Sequence, residues 1–417
     1  MRIVMIGPFG LKPKGTMAVR ALSMARALAA RGYAVTMLLP PWANPEESGR
    51  SYEDGGVRIE NIALPPRRPV LFHVQVTRRL VRRALALEPD VVHCFKPKAY
   101  AGLSSWWLWQ WKRLGLSKVR LVVDADDWEG AGGWNDRERY SWAQRRMFAW
   151  QEQWGLRHCD ALTVASRALE SIVWSLGVSP SRVFYVPNGV EVSKLQTSKF
   201  KLQTPASVLE SPISNPSTML RAGLQSPASN FQPPTILLYT RFFEYRLERV
   251  LEVFDRVLQF SPEVRLLVVG KGLFGEEQAL LDRAREMGWG DRVEYLGWLE
   301  PAELPIVFAR ADVAIYPFDD TLLNRTKCAV KLIDLLAAGV PVVADAVGQN
   351  VEYIRHNETG ILVPAGDVEA MARAVVELLN ERRRARILGA AAAKDVRERF
   401  GWDRLVESVE RAYAGKG

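Results

Sequence analysis

One segment of the sequence combines the features of a phosphate-binding site. Residues 325–344 are predicted to form a loop, a helix from about Ala329 to Ala338, a glycine that ends the helix, and a buried strand. The N-terminus of such a helix presents unpaired N–H groups and a positive dipole, which bind phosphate. Asp334 lies in the first two turns, where its carboxylate can accept hydrogen bonds from a ribose diol. An ordinary amphipathic helix with a solvated Asp334 is the alternative interpretation.

Two arginines follow the predicted strand Thr235–Thr240. Arg241 and Arg246 are five residues apart, and guanidinium groups bind phosphate oxygens bidentately and offset the charge of a departing phosphate. A surface position at the start of the next helix is the alternative for Arg246.

Near the N-terminus, Gly15 and Thr16 follow a glycine-containing turn. They indicate either an anion site made of free N–H groups or a plain turn capped by Thr16.

An acidic loop follows another predicted strand, Val119–Asp124. Five carboxylates lie within residues 124–136, together with glycines and two tryptophans. Carboxylates bind sugar hydroxyls and tryptophan stacks on sugar faces, so the loop is predicted to recognise a sugar acceptor. The residues assigned to this role are Asp126, Asp127, Trp128 and Glu129. A carboxylate site for two metal ions and a loop of solvated acids are the alternatives.

The elements around these motifs alternate between short apolar strands and helical patterns in both halves of the chain. This alternation predicts two Rossmann-like domains with parallel sheets, at residues 1–194 and 235–417. Residues 195–234 are rich in Ser, Pro, Gln and Thr and are predicted to be a flexible linker or insertion. Since ligands bind at the carboxyl ends of parallel strands, two facing domains would place the motifs across a central cleft.

Composition excludes several protein classes. The chain has 417 residues, 48% of them hydrophobic and 25% charged, which is not the composition of a disordered protein. Three widely spaced cysteines give neither a disulfide framework nor a zinc site. No long apolar run or signal peptide is present, so a cytoplasmic protein is expected. The net charge is +9 overall, with +11 in residues 1–194 and −2 in the remainder.

The motifs taken together resemble retaining glycosyltransferase family 4, which has the GT-B fold of two Rossmann-like domains. The resemblance rests on the run from Lys327 to Val343, on 347–350 and 360–364, on the Tyr185–Val190 segment and on Arg241. It extends over nearly the whole chain and implies a helix at about 401–415 that crosses back to the first domain. The implied activity is sugar transfer from a nucleotide-diphosphate sugar, with no metal or other cofactor required.

The resemblance also assigns roles to residues. Arg241 and Arg246 take the positions of an Arg and a Lys that hold the donor diphosphate. Asp334 takes the position of the second glutamate of a Glu-x7-Glu pair and keeps a ribose contact. Thr326 replaces the first glutamate, which leaves the donor sugar open. Further donor contacts are expected from Thr326, Lys327, Cys328 and Lys331, in addition to Gly15 and Thr16. His93 is expected near the transferred sugar at the end of the strand Asp90–His93, with a structural histidine bonded to the backbone as the alternative.

Two segments of the basic half favour contact with an anionic membrane surface. Residues 77–85 contain four arginines and residues 106–113 contain four tryptophans with two cations. Packing of these tryptophans in the core is the alternative. A lipid-linked acceptor at the inner face of the membrane is therefore expected, while no nucleic-acid module is present. A sugar-nucleotide epimerase or hydrolase and a non-catalytic, membrane-docked scaffold are the alternative functions.

Overall fold

The computed structural model describes residues 1–12, 15–67, 70–191 and 233–415. These residues form two α/β domains, each built on one sheet, and the cleft between them lies at the carboxyl ends of the parallel strands. The predicted linker at 195–234 lies outside the described residues, apart from Pro233 and Pro234.

The described part of the first domain holds an eight-stranded sheet with strand order β3-β4-β2-β1-β5-β6-β7-β8. Only β3 runs antiparallel, paired with β4. The strands are β1 (Arg2–Ile6), β2 (Ala34–Leu39), β3 (Ser51–Asp54), β4 (Val57–Asn61), β5 (Val91–Phe95), β6 (Arg120–Ala125), β7 (Ala161–Val164) and β8 (Val183–Tyr185). The helices are α1 (Leu22–Ala30), α2 (Leu71–Ala86), α3 (Ala99–Arg113), α4 (Trp134–Arg137), α5 (Trp142–Arg157) and α6 (Arg167–Ser175). A π-helical turn, Thr16–Ala21, leads directly into α1.

The second domain holds a six-stranded sheet with strand order β11-β10-β9-β12-β13-β14. Its strands are β9 (Thr235–Thr240), β10 (Arg265–Gly270), β11 (Val293–Gly297), β12 (Val313–Tyr316), β13 (Val342–Asp345) and β14 (Ile361–Val363). Its helices are α7 (Leu247–Phe260), α8 (Glu276–Glu286), α9 (Leu304–Phe308), α10 (Leu322–Thr326), α11 (Val330–Ala337), α12 (Asn350–Tyr353), α13 (Val368–Asn380), α14 (Arg382–Phe400) and α15 (Trp402–Ala414). This is the doubly wound order, in which ligands bind where the strand order reverses, here between β9 and β12.

The predicted arrangement of two Rossmann-like domains is confirmed, with small shifts at the strand ends. The strand predicted as Asp90–His93 is β5, Val91–Phe95, so the prediction that His93 ends the strand is wrong. The apolar run continues through Cys94 and Phe95, and both side chains are fully buried. Two residues of extra strand place Lys96, rather than His93, at the mouth of the cleft.

The last helix joins the two domains. α15 follows α14 of the second domain but packs against the first, where Arg120 Nε donates to the carbonyl of Ala412 at 2.8 Å. Tyr413, one residue further, lies in the first domain's interior. Closer to the cleft, the Ser166 hydroxyl donates to the Thr326 carbonyl at 2.9 Å, and the Tyr185 hydroxyl donates to Glu352 at 2.6 Å. The two domains therefore contact each other directly.

Candidate active site in the interdomain cleft

Arg241 lies at the switch point of the second sheet, directly after β9. Its guanidinium carbon is 5.3 Å from the centre of the Phe243 ring and 5.7 Å from that of Trp134 in the first domain. Arg241 is half-buried, and no carboxylate of the described residues lies within ion-pair distance of it. The side chain thus lies beside a pair of contacting aromatic rings, with its charge unpaired within the described residues.

Lys331 and Asp334 face the same part of the cleft from α11. The ammonium of Lys331 lies 3.6 Å from the centre of the Tyr239 ring and 5.2 Å from that of Trp298. Burial lowers the pKa of Lys331 to about 8, although the carboxylates of Glu244 and Asp334 oppose this shift. Burial likewise raises the pKa of Asp334 to about 6, against the attraction of Lys331. Both groups therefore titrate close to neutral pH.

Lys327 differs from Lys331 because its charge is neutralised by the protein. Its ammonium forms a buried ion pair with Glu244. Burial would raise the pKa of Glu244, but the charge and hydrogen bond of Lys327, with smaller effects of Lys331 and Arg241, hold it below its usual value. The neighbouring Thr326 is fully buried, and its hydroxyl donates to the carbonyl of Leu322 at 2.8 Å. The Thr326 side chain therefore points back into its own helix.

The start of α11 is in contact with the first domain. The N–H of Cys328 donates to Asp127 at 3.4 Å, and the Cys328 thiol donates to the Asp126 carbonyl at 3.1 Å. The N–H of Ala329 donates to the side chain of Gln349 at 2.8 Å. In this arrangement, the N–H groups that the sequence predicted to bind phosphate already donate hydrogen bonds to oxygen atoms of the protein.

Arg246 lies outside this cluster. It is exposed and forms the N-cap position of α7, with no side-chain capping bond. It lines a cavity of about 320 Å³ together with Arg137 of the first domain and Asp319 and Glu276 of the second. The structure therefore brings Arg241, Lys327, Lys331 and Asp334 together and places Arg246 at the rim.

Two lysines that follow β5 bind most of the acidic loop. The ammonium of Lys96 lies 3.0 Å from Asp127 and 3.2 Å from both Asp126 and Glu129. That of Lys98 lies 2.5 Å from Glu129. The carboxylates predicted to bind sugar hydroxyls are thus largely engaged in ion pairs within the first domain.

Several polar atoms in or beside the acidic loop still have no hydrogen-bond or ion-pair partner within the described residues. They are Asn135 Nδ2 and Trp134 Nε1 of the loop and Glu152 Oε2 of α5, and all are buried. Burial raises the pKa of Asp126 to about 7, against the attraction of Lys96. Burial, with the nearby charge of Glu129, raises the pKa of Glu152 to about 8. Unpartnered buried polar atoms are costly, so a polar ligand that reached them would be bound favourably.

The two tryptophans of this loop are used differently. Trp128 is buried, and its Nε1 donates to the Ala131 carbonyl at 2.9 Å. Trp134 instead faces the second domain, with its ring centre 5.1 Å from that of Phe243. Trp134, and not the predicted Trp128, is therefore the aromatic ring that borders the cleft.

His93 is part of a buried polar chain beneath the site. Its Nδ1 is 2.8 Å from the Tyr413 hydroxyl and its Nε2 is 3.1 Å from that of Thr163, which donates to Asp124 at 2.6 Å. Asp124 in turn accepts two bonds from the buried Arg20, at 2.8 and 2.7 Å. Burial lowers the pKa of His93 to about 4. With no exposed surface, the ring does not reach the cleft in this conformation.

Gly15 and Thr16 begin the π-helical turn that precedes α1, and no side-chain bond caps it. Besides Trp134, sequence reasoning did not assign Lys96, Lys98 and Glu244 to the site. Lys96 and Lys98 directly follow the strand end once β5 is extended to Phe95, which is the signal that was available. Glu244 carried no such signal, because only the fold brings it to Lys327.

No group of three or more His, Cys, Asp or Glu residues in the described part of the chain is arranged to hold a metal ion. Within the same residues, no helix has the length and apolar character needed to cross a bilayer.

Comparison with known proteins identifies the two domains separately. The model of the glycosyl transferase 4-like domain matches residues 15–189, and that of the glycosyl transferases group 1 matches residues 233–381. Phosphatidyl-myo-inositol mannosyltransferase of Mycobacterium leprae is 27% identical over 99% of this chain and 96% of its own length. GDP-mannose-dependent alpha-(1-6)-phosphatidylinositol monomannoside mannosyltransferase of Mycobacterium tuberculosis is 31% identical over 60% of each chain.

Among solved structures, sucrose-phosphate synthase from Thermosynechococcus elongatus superposes with a TM-score of 0.68 at 20% identity, covering 99% of this chain and 98% of that one. At this identity the likeness concerns the fold, and it confirms the predicted GT-B architecture.

Proposed function

This chain belongs to the glycosyl transferases group 1 and is a glycosyltransferase with the GT-B fold, and on that premise we propose that it transfers a sugar from a nucleotide-diphosphate sugar to a lipid-linked acceptor, with retention of anomeric configuration. The second domain binds the donor and the first domain binds the acceptor. The chemistry takes place in the cleft between Arg241 and the acidic loop.

The unpaired charges of Arg241 and Lys331 carry the proposal. Lys96, Lys98 and Lys327 each have a carboxylate partner, whereas the described residues provide none within ion-pair distance of Arg241 or Lys331. Cations left unpaired at the switch point of a doubly wound sheet are suited to an anionic ligand such as a diphosphate. The neighbouring Asp334 carboxylate would accept hydrogen bonds from the ribose.

Charge stabilisation accounts for the catalytic part of the proposal. As the bond between the sugar and the diphosphate breaks, negative charge grows on the leaving phosphate, and Arg241 is positioned to offset it. The leaving phosphate takes the proton of the acceptor hydroxyl, as the family resemblance implies, so no separate general base is needed. Thr326 provides no carboxylate for the sugar ring, and the donor sugar is accordingly not specified by this position.

The acceptor side of the proposal rests on two observations. The buried unpartnered atoms of Trp134 and Asn135 lie across the cleft from the donor residues and offer hydrogen bonds to sugar hydroxyls. The two mycobacterial relatives are named for phosphatidylinositol acceptors, which agrees with the net charge of +11 in residues 1–194. GDP-mannose, the donor in the name of one relative, is therefore the first donor to test.

Substitution of Arg241 tests the proposal. Arg241→Ala should lower turnover by at least about 100-fold, the scale of losing one charge-stabilising group. Arg310→Ala is a matched control, because Arg310 lies on the surface in an ion pair with Glu294. Donors are chosen from thermal-shift titrations with GDP, UDP and their sugars. Near wild-type turnover in Arg241→Ala, or no stabilisation by any nucleotide, would overturn the proposal.

A further inference from the structure

Helix α5 carries an unbroken row of aromatic and basic side chains on its outer face. Trp142, Arg146, Trp150 and Trp154 follow one another at intervals of four residues, and His158 at the C-cap continues the series, so they form a ridge that winds gradually around the helix. The Arg146 guanidinium is 5.6 Å from the Trp142 ring, the Trp150 and Trp154 rings are 6.2 Å apart, and Trp154 stacks on His158 at 4.3 Å. The sixteen residues of α5 extend this row over about 24 Å.

This outer face is exposed to an unusual degree for its composition. Trp142 is 75% exposed, Trp150 is 47% exposed and Met147, beside them, is 42% exposed. Arg145 and Arg146 are also exposed, and no carboxylate of the described residues forms an ion pair with either. The one acidic residue of α5, Glu152, is buried. The outer face therefore combines apolar side chains with positive charges, and α5 adds no exposed negative charge to it.

The inner face of the same helix holds the acceptor side of the cleft. Glu152 Oε1 accepts a hydrogen bond from the N–H of Glu129 in the acidic loop at 2.8 Å. The side-chain amide of Gln151 bonds both the N–H and the carbonyl of Ala99, at 2.8 and 3.2 Å, at the start of α3. One rigid element thus connects the exposed tryptophans to the loop that borders the active site.

We propose that the outer face of α5 (Trp142, Arg145, Arg146, Met147 and Trp150) docks on the surface of an anionic phospholipid bilayer. Tryptophan and methionine side chains partition into the headgroup boundary, while arginines bind lipid phosphates. A helix docked in this way places the acceptor loop one helix diameter from the lipid surface, where a lipid-linked acceptor presents its sugar. The proposal rests on the proposed function, since it names the surface on which that acceptor is met.

The two segments that the sequence favoured for membrane contact are partly engaged within the protein. Trp107, Trp109 and Trp111 of α3 are half-buried and pack against the core of the first domain, while Trp106 is 38% exposed. On α2, Arg83 is engaged by Glu60, at 2.6 Å, while Arg78, Arg79 and Arg82 are exposed and could add to the same contact. The tryptophans that are most exposed in the first domain are on α5 and not on α3.

Vesicle flotation of the full-length protein tests the proposal. Vesicles of phosphatidylcholine with phosphatidylglycerol are compared with vesicles of phosphatidylcholine alone. The double variant Arg145→Gln/Arg146→Gln should bind anionic vesicles about 25-fold more weakly, since one basic residue near such a surface changes partitioning about five-fold. Trp142→Ala/Trp150→Ala should also lose vesicle binding. Trp174→Ala, on α6 and 42% exposed, is the matched control and should bind like the wild type.

Two further measurements separate this proposal from its alternatives. Transfer to a detergent-solubilised acceptor, and nucleotide-induced thermal shifts, should be unchanged in both double variants, which also shows that they are folded. If the wild type shows neither sugar transfer nor a nucleotide-induced thermal shift, the proposed function is wrong. Flotation still tests in that case whether α5 docks on the bilayer. Unchanged flotation of both double variants, equal binding to neutral vesicles, or a wild-type dimer that the tryptophan variant dissociates would overturn the proposal.

Discussion

The protonation state of Lys331 predicts how the affinity for the donor diphosphate depends on pH. Its ammonium is buried against Tyr239 and Trp298 without an ion-pair partner in the described residues, and its pKa is lowered to about 8. A bound diphosphate adds negative charge beside it and should restore the pKa to at least the ordinary value of about 10.5. The bound complex therefore holds a proton that the free protein loses as the pH rises above about 8.

The expected change in affinity follows from this linkage. Between about pH 7 and about pH 9.5, the dissociation constant for a nucleoside diphosphate should rise about 30-fold, which corresponds to about 2 kcal/mol. The sign is fixed because the charged lysine binds the diphosphate and high pH removes that charge. The terminal phosphate of the ligand titrates near pH 6 and contributes little in this range.

Isothermal titration calorimetry with GDP and UDP measures the effect. Lys331→Met should bind both nucleotides about 10- to 100-fold more weakly at pH 7, the range for loss of a hydrogen bond to a charged group. The variant should also show no further loss as the pH rises. Lys394→Met, which changes an exposed lysine on α14, should retain the wild-type dependence. A flat pH profile in the wild type, or a steep one in Lys331→Met, would refute the reasoning.

Two other predictions concern buried groups. Wild-type protein should bind GDP about 10-fold more tightly than its 2′-deoxy analogue, as for a hydrogen bond to a charged group, and Asp334→Ala, which removes the acceptor oxygens, should bind the two alike; calorimetry that finds the same preference in the variant would contradict a ribose contact. His93 has a pKa of about 4 in the fold, whereas the unfolded side chain titrates near 6.5. Protonation of His93 is therefore less favourable in the folded state than in the unfolded chain, and between about pH 6.5 and about pH 4 the wild type should lose about 2.5 kcal/mol more stability than His93→Asn. Urea unfolding at the two pH values checks this, and an equal loss in both proteins would contradict it.

Much of the fold could be predicted from the sequence because strand and helix periodicity are local signals. β1, β2, β7, β9 and β12 begin and end where the apolar runs do. The hairpin of β3 and β4 was missed, since Ser51–Asp54 is polar and exposed and is a strand only because it pairs with Val57–Asn61. His93 was misplaced for a related reason: a run that is buried on both faces gives no alternation from which to read its end.

The candidate site was predicted less completely, because ion pairing is a property of the folded chain. Asp127 and Glu129 attract attention in the sequence as free acids, yet Lys96 and Lys98, more than 25 positions away, pair with them. Glu244 and Lys327 are 83 positions apart and neutralise each other. The residue types at the cleft were readable, but which of them keep a free charge was not.

The net charge of a domain and its cations that lack an ion-pair partner therefore predict different binding surfaces in this protein. The first domain holds the excess of +11, yet the lysines that it directs into the cleft are paired, and its exposed, unpaired arginines on α5 face away from the acidic loop. The second domain has a net charge of −2 over residues 195–417 but leaves Arg241 and Lys331 unpaired at the switch point of its sheet. Because a ligand responds to the nearest unscreened charges, the diphosphate is expected in the domain with the lower net charge. The excess of the other domain is then available for a surface outside the cleft, which is where α5 presents it.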